Sequence, residues 1–67
     1  MKIDVIKNIG WDDTVKWEMH LMDNQRGKTC VPITEDFALE IMSRLPFQHT
    51  GAEATACGTC YYWTWTA

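Results

Sequence analysis

The stretch Thr34-Glu35-Asp36-Phe37-Ala38-Leu39-Glu40-Ile41-Met42-Ser43-Arg44-Leu45-Pro46 decides the fold class, because it interrupts strand-like sequence with a helical pattern. Phe37, Ala38, Ile41, Met42 and Leu45 recur at spacings of three and four, which lines them up as one apolar stripe. Thr34 is suited to the N-cap, where its hydroxyl accepts from an otherwise unpaired backbone N–H. Glu35 and Asp36 put negative charge in the first turn, where the helix dipole favours it. Glu40, Ser43 and Arg44 occupy the remaining surface, and Pro46 ends the helix.

Working back from the helix, residues 28–33 read as a strand. Pro32 has no backbone N–H to give a ladder, so this strand belongs at a sheet edge. Asp23-Asn24-Gln25-Arg26-Gly27 supplies a hairpin connection, with Gly27 free to take a positive φ. Before it, Val15, Trp17, Met19 and Leu21 alternate with Thr14, Lys16, Glu18 and His20, the pattern of a strand with one face in the core. Gly10-Trp11-Asp12-Asp13 is a turn, and residues 2–9 form a first strand with Ile3 and Val5 on one face.

On the other side of the helix, residues 47–53 read as a loop and residues 54–67 as a final strand. Tyr61, Tyr62, Trp63 and Trp65, with their intervening threonines, favour extended backbone. The expectation is one small α+β domain spanning residues 1–67, in the order β-β-β-α-β, with a mainly antiparallel sheet and one helix packed on one face. With Pro32 holding the third strand at an edge, the last strand joins beside the first after a helical crossover. The spatial order is then 3-2-1-4, with strands one and four parallel. The competing order places strand four beside strand three.

The 67-residue length fits one core and no second. At 46% hydrophobic and 22% charged, the chain is too apolar for a disordered linker. Nine acidic against six basic residues give a net charge of −3, and Lys2, Lys7, Lys16, Arg26, Lys28 and Arg44 are dispersed. Phosphate binding needs a local positive field, so this distribution argues against a nucleic-acid groove. The first residues alternate charged with apolar positions, unlike a secretory signal, and no segment approaches a membrane span. Three cysteines cannot all pair within one chain. Reduced thiols and a cytoplasmic location follow as the expectation.

The chemistry-bearing patterns are sparse. Cys57-Gly58-Thr59-Cys60 runs into a strand rather than a helix N-terminus, so it lacks the positive potential that activates a redox thiolate. The bland alternative is that one cysteine packs as a small hydrophobe while the other is exposed. A closed zinc centre needs four ligands: Cys57 and Cys60, plus Cys30 and either His49 or His20, would supply them, but no second close-spaced pair supports the grouping. Ser43 lies inside the helix, and the Asp12-Asp13 and Glu35-Asp36 pairs read as turn and helix-start residues. No phosphate loop, dinucleotide fingerprint, calcium loop or H-E-x-x-H pattern occurs. The sequence thus points to a non-enzyme without cofactor or metal.

The aromatic tail has the stronger claim to recognition. Tyr61, Trp63 and Trp65 share one face and Tyr62 takes the other with Thr64 and Thr66, and one helix covers only one face of a small sheet. Either the three rings complete the core and Tyr62 faces solvent, or the reverse register leaves a broad aromatic patch open. The expected function is a small interaction or inhibitory protein that binds a larger protein, or a second copy of itself, through its C-terminal edge strand. Tyr61, Tyr62, Trp63 and Trp65 are the candidate contacts, with Trp11 as an added anchor and Asp12-Asp13 orienting a basic partner. The alternatives are a zinc-stabilised nucleic-acid-binding module, with rings stacking on bases, and a C-x-x-C thiol redox protein.

Overall fold

Alternating strands and short turns build the N-terminal half as a meander. The computed structural model describes residues 1–25 and 27–67; Arg26, in the expected second turn, lies outside the described residues. Strand β1 (Lys2–Gly10) pairs antiparallel with β2 (Val15–Asp23), which pairs antiparallel with β3 (Gly27–Ile33). In the first turn Asp13 takes a φ of 64°, a left-handed conformation that aspartate tolerates better than most residues. The loop is tied by Gly10 N–H to Thr14 O (2.8 Å) and Thr14 N–H to Asp12 Oδ1 (3.1 Å). Gly27 supplies the positive φ (78°) expected at the second turn.

Helix α1 (Glu35–Arg44) starts and stops where the sequence indicates. Thr34 Oγ1 accepts from Phe37 N–H at 3.2 Å, and Leu45 leaves the helix in extended backbone before Pro46. Arg44 and Glu40 pair at 2.9 Å on its exposed side. The stripe that reaches the sheet is Ala38, Ile41 and Met42; Phe37, which the spacing placed with them, is 45% exposed at the first turn.

The C-terminal segment corrects the sequence reading. Residues expected to form a loop and one long strand instead form two strands, β4 (Gln48–Thr55) and β5 (Gly58–Thr66), joined by Ala56 and Cys57. The sheet order is β3-β2-β1-β5-β4. The last strand does lie beside β1, but antiparallel, since the extra strand reverses the chain once more before it arrives. The small α+β class with one helix stands, and so does the edge position of Pro32 on β3. β5, however, is interior, and the C-terminal edge is β4.

The helix-side core holds Val5, Trp17 and Ala38, all buried, with Ile33, Ile41, Met42, Phe47 and Trp63 packed around them. Register explains the gathering. Val5 faces Trp63 across β1–β5, and Trp17 faces Ile33 across β2–β3. Trp17 and Trp63 stack with centroids 5.9 Å apart, and Lys7 Nζ caps Trp17 at 5.4 Å from its centroid. Ala38 fits beneath the helix because a larger side chain would hold it away from the sheet.

Candidate functional site

The face of the sheet opposite the helix carries a regular grid set by cross-strand register. One row runs Cys30, His20, Asp4, Thr64; the next runs Pro32, Glu18, Ile6, Tyr62; a third runs Lys16, Asn8, Cys60, Glu53. Adjacent rows hold residues two apart on each strand, so their side chains share this face. Ile6 is only 7% exposed here, as Tyr62 and Glu18 flank it across both neighbouring strands. It forms the floor of a groove of about 740 Å³ that also touches Asn8, Cys60 and His20.

Trp11 stands at one end of the groove. Its ring is 75% exposed, yet its Nε1–H donates to the Ala56 carbonyl at 2.7 Å, bridging the β1–β2 loop to the β4–β5 turn. Tyr62 lines the wall and donates its hydroxyl to Glu53 Oε2 at 3.3 Å. Burial first, then the neighbouring Cys60 and Glu53, push the Tyr62 phenol above its ordinary value of 10.0, so it stays a protonated donor. Asn8 Nδ2 donates to Cys60 Sγ at 3.0 Å. Farther along the face, Thr50, Thr64 and Asp4 form a chain across β4, β5 and β1, with Thr64 Oγ1 donating to Asp4 Oδ1 at 2.8 Å.

Asp12 at the groove's rim is held below its ordinary value of 3.8, first by the Thr14 side chain and then by the Thr14 backbone N–H. A depressed carboxylate stabilises the fold above its unfolded value and loses that contribution as pH falls through the folded one. Asp12→Asn removes the titration but keeps a turn-forming amide. Acid titrations followed by circular dichroism should therefore show the wild type losing stability below about pH 4 more steeply than the variant.

The sequence-derived contacts divide between the two faces. Trp11 and Tyr62 both line the groove, whereas Trp63 packs against the core, and Tyr61 and Trp65 are half-buried on the helix side. Of the two registers considered, the one with Tyr61, Trp63 and Trp65 beneath the helix and Tyr62 on the open face is formed, but the expected edge location is not, because β4 covers the outer side of β5. Both true edges are blunted: Pro32 and Lys28 lie on β3, and β4 has a register irregularity between His49 and Gly51. Cys57 is exposed in the β4–β5 turn and Cys60 is buried in β5, the arrangement of a packed and a surface thiol. His49 lies against Trp63 on the helix side, with centroids 5.3 Å apart. Of the conceivable zinc ligands, Cys30 and His20 come together, joined by Glu18; Cys57, Cys60 and His49 do not join them.

Sequence reasoning missed Ile6, Asn8 and Glu18. The signal for Glu18 and His20 was present in their two-residue spacing on the polar side of β2. The hairpin register sets them beside Ile6 and Asp4, but bringing Tyr62 and Cys60 in from the far side needs the β1–β5 register, which no local pattern carries.

Fold and site together define the class: a small α+β domain whose single antiparallel sheet is helix-covered on one face and grooved on the other. No protein-family model, curated protein or solved structure matches this chain. Among the described residues, no helix is long and apolar enough to cross a membrane.

Proposed function

We propose that this chain is a small non-enzymatic interaction protein, acting in the cytoplasm, that binds and inhibits a larger protein through the groove on the helix-free face. The observation that carries the proposal is Trp11, a ring three-quarters exposed but fixed by its hydrogen bond to Ala56. A large apolar side chain held in place before binding loses little rotamer freedom on association, which is the property of an energetic anchor. Tyr62 supplies a second ring on the groove wall, and Ile6 gives the floor an apolar surface. Asp12 and Glu18 at the margins complement a basic side chain on the partner, with Lys16 setting the orientation. Two of the groove's polar side chains are already engaged, Asn8 with Cys60 and Tyr62 with Glu53 beside it, which favours a binding surface over a reactive centre at that end.

The test is capture of partners by the immobilised full chain, followed by affinity measurement on the protein recovered. Trp11→Ala and Tyr62→Ala should each weaken that complex by roughly 30-fold or more, the effect of losing an anchor worth about 2 kcal/mol. Leu39→Ala, on the exposed side of the helix, should leave it unchanged. Circular dichroism checks that each variant is folded. Undiminished binding by both groove variants would place the contact surface elsewhere.

A further inference from the structure

The geometry points to a transition-metal site, suited to zinc, formed by Glu18, His20 and Cys30 on the helix-free face. Each residue offers one donor atom, and the three atoms lie within 4.8 Å of one another. Two strands place them. Glu18 and His20 are two residues apart on β2, and Cys30 stands directly opposite His20 in the β2–β3 register. Zinc bonds of about 2.0–2.3 Å in tetrahedral geometry put ligand atoms roughly 3.3–3.7 Å apart. Glu18 Oε1 and His20 Nε2 already stand at 3.3 Å, so closing the trio requires only side-chain adjustment by the exposed Glu18 and Cys30.

His20 supplies the second, independent observation. Its side chain is 17% exposed, and Nε2 is shut off from solvent without a hydrogen-bond partner. The Glu18 carboxylate is near enough for an ion pair but makes no hydrogen bond to Nε2. A buried ring nitrogen left unpaired in this way is destabilising unless something satisfies it. A cation between Nε2, the Glu18 carboxylate and the Cys30 thiolate would do so. It would also neutralise the two negative ligands it joins.

The donor set selects the class of metal. Thiolate and imidazole together favour zinc and its neighbours over magnesium or calcium, which take oxygen ligands. Three protein ligands leave a fourth position for water on the open face. Because Glu18 and His20 also line the groove, a bound ion would stiffen its wall. The site does not depend on the groove having a protein partner, and it is tested without one.

The reduced, metal-stripped full chain is titrated with Co²⁺ as a spectroscopic probe and then with Zn²⁺ in competition. The expected result is a single equivalent of Co²⁺ giving a thiolate charge-transfer band and intense tetrahedral visible bands, both bleached by Zn²⁺. Cys30→Ser should abolish the charge-transfer band. His20→Gln should weaken binding more than ~100-fold, beyond the loss typical of an outer-shell partner. Cys57→Ser should behave as the wild type. Circular dichroism of the stripped variants separates ligand loss from misfolding, and Cys30→Ser, at an exposed position, should retain the fold. Absence of stoichiometric Co²⁺ binding, or a charge-transfer band that survives Cys30→Ser but disappears in Cys57→Ser, would overturn the assignment.

Discussion

Trp17→Ala should unfold most of the population at room temperature. Truncating a buried tryptophan costs about 3–5 kcal/mol through lost apolar contact and the cavity left behind. A single core in a chain of this size rarely supplies more than about 3–5 kcal/mol in total. Trp17 is the residue on which three elements converge: it stacks on Trp63 of β5, packs with Val5 of β1 and lies under Ala38 of α1. Losing it therefore frees the helix as well as the sheet face. Urea titration monitored in the far ultraviolet should show the midpoint falling toward zero denaturant. Trp17→Phe should lose less, because it keeps part of the stack and also removes the buried Nε1–H, which has no partner. Trp11→Ala is the contrasting case. It deletes an equally large ring, yet one already in water and held by one exposed hydrogen bond, so its cost should stay under about 1.5 kcal/mol. Equal losses from Trp11→Ala and Trp17→Ala would contradict the division of rings between groove and core.

That division shows how far the sequence could be read. Alternation identified Trp17 as a core residue of β2, because period two with alternating polar partners has only one stable orientation beneath a helix. The helix was legible from Thr34 to Pro46 for a similar reason, since cap, charge, stripe and stop all agree. Phe37 departs from its stripe: it is 45% exposed in the first turn, whereas Ala38, Ile41 and Met42 reach the core.

β4 was illegible because Gln48-His49-Thr50-Gly51-Ala52-Glu53-Ala54-Thr55 has low strand propensity and no apolar alternation. It is a strand by virtue of its partner, pairing with an aromatic-rich β5 that supplies the packing. Missing it reversed the inferred direction of β5 and placed that strand at an edge. The candidate site inherited the error, since an edge location offered the strand's backbone and its rings together as a contact surface. Of these rings only Tyr62 belongs to the groove, whose lining also includes Trp11 from near the other end of the chain.

Gly58→Ala should be the most damaging change available outside the aromatic core. Gly58 begins β5, has a φ of 142° and lies directly opposite Gly10 of β1. Ordinary L-residues avoid this region, and adopting it is a strain of about 1–3 kcal/mol. Space compounds the problem. An added Cβ would fall on the Ile9 carbonyl oxygen and within 2.8 Å of Gly10 Cα, backbone atoms that cannot rotate away. Overpacking of this kind adds about 1–3 kcal/mol, so the combined loss approaches the stability of the whole domain. The other glycines separate the two causes. Gly27→Ala meets no atom within 4 Å but retains a φ of 78°, so it should lose only the about 1–2 kcal/mol of left-handed backbone. Gly51→Ala has neither obstacle and should change stability by less than about 0.5 kcal/mol. Thermal unfolding of the three variants should thus rank Gly58 far below Gly27, and Gly27 below Gly51. If Gly58→Ala instead tracked Gly27→Ala, the close approach of β5 to β1 at this end of the sheet would be wrong. The groove end that Trp11 bridges to Ala56 would then have to be redrawn with it.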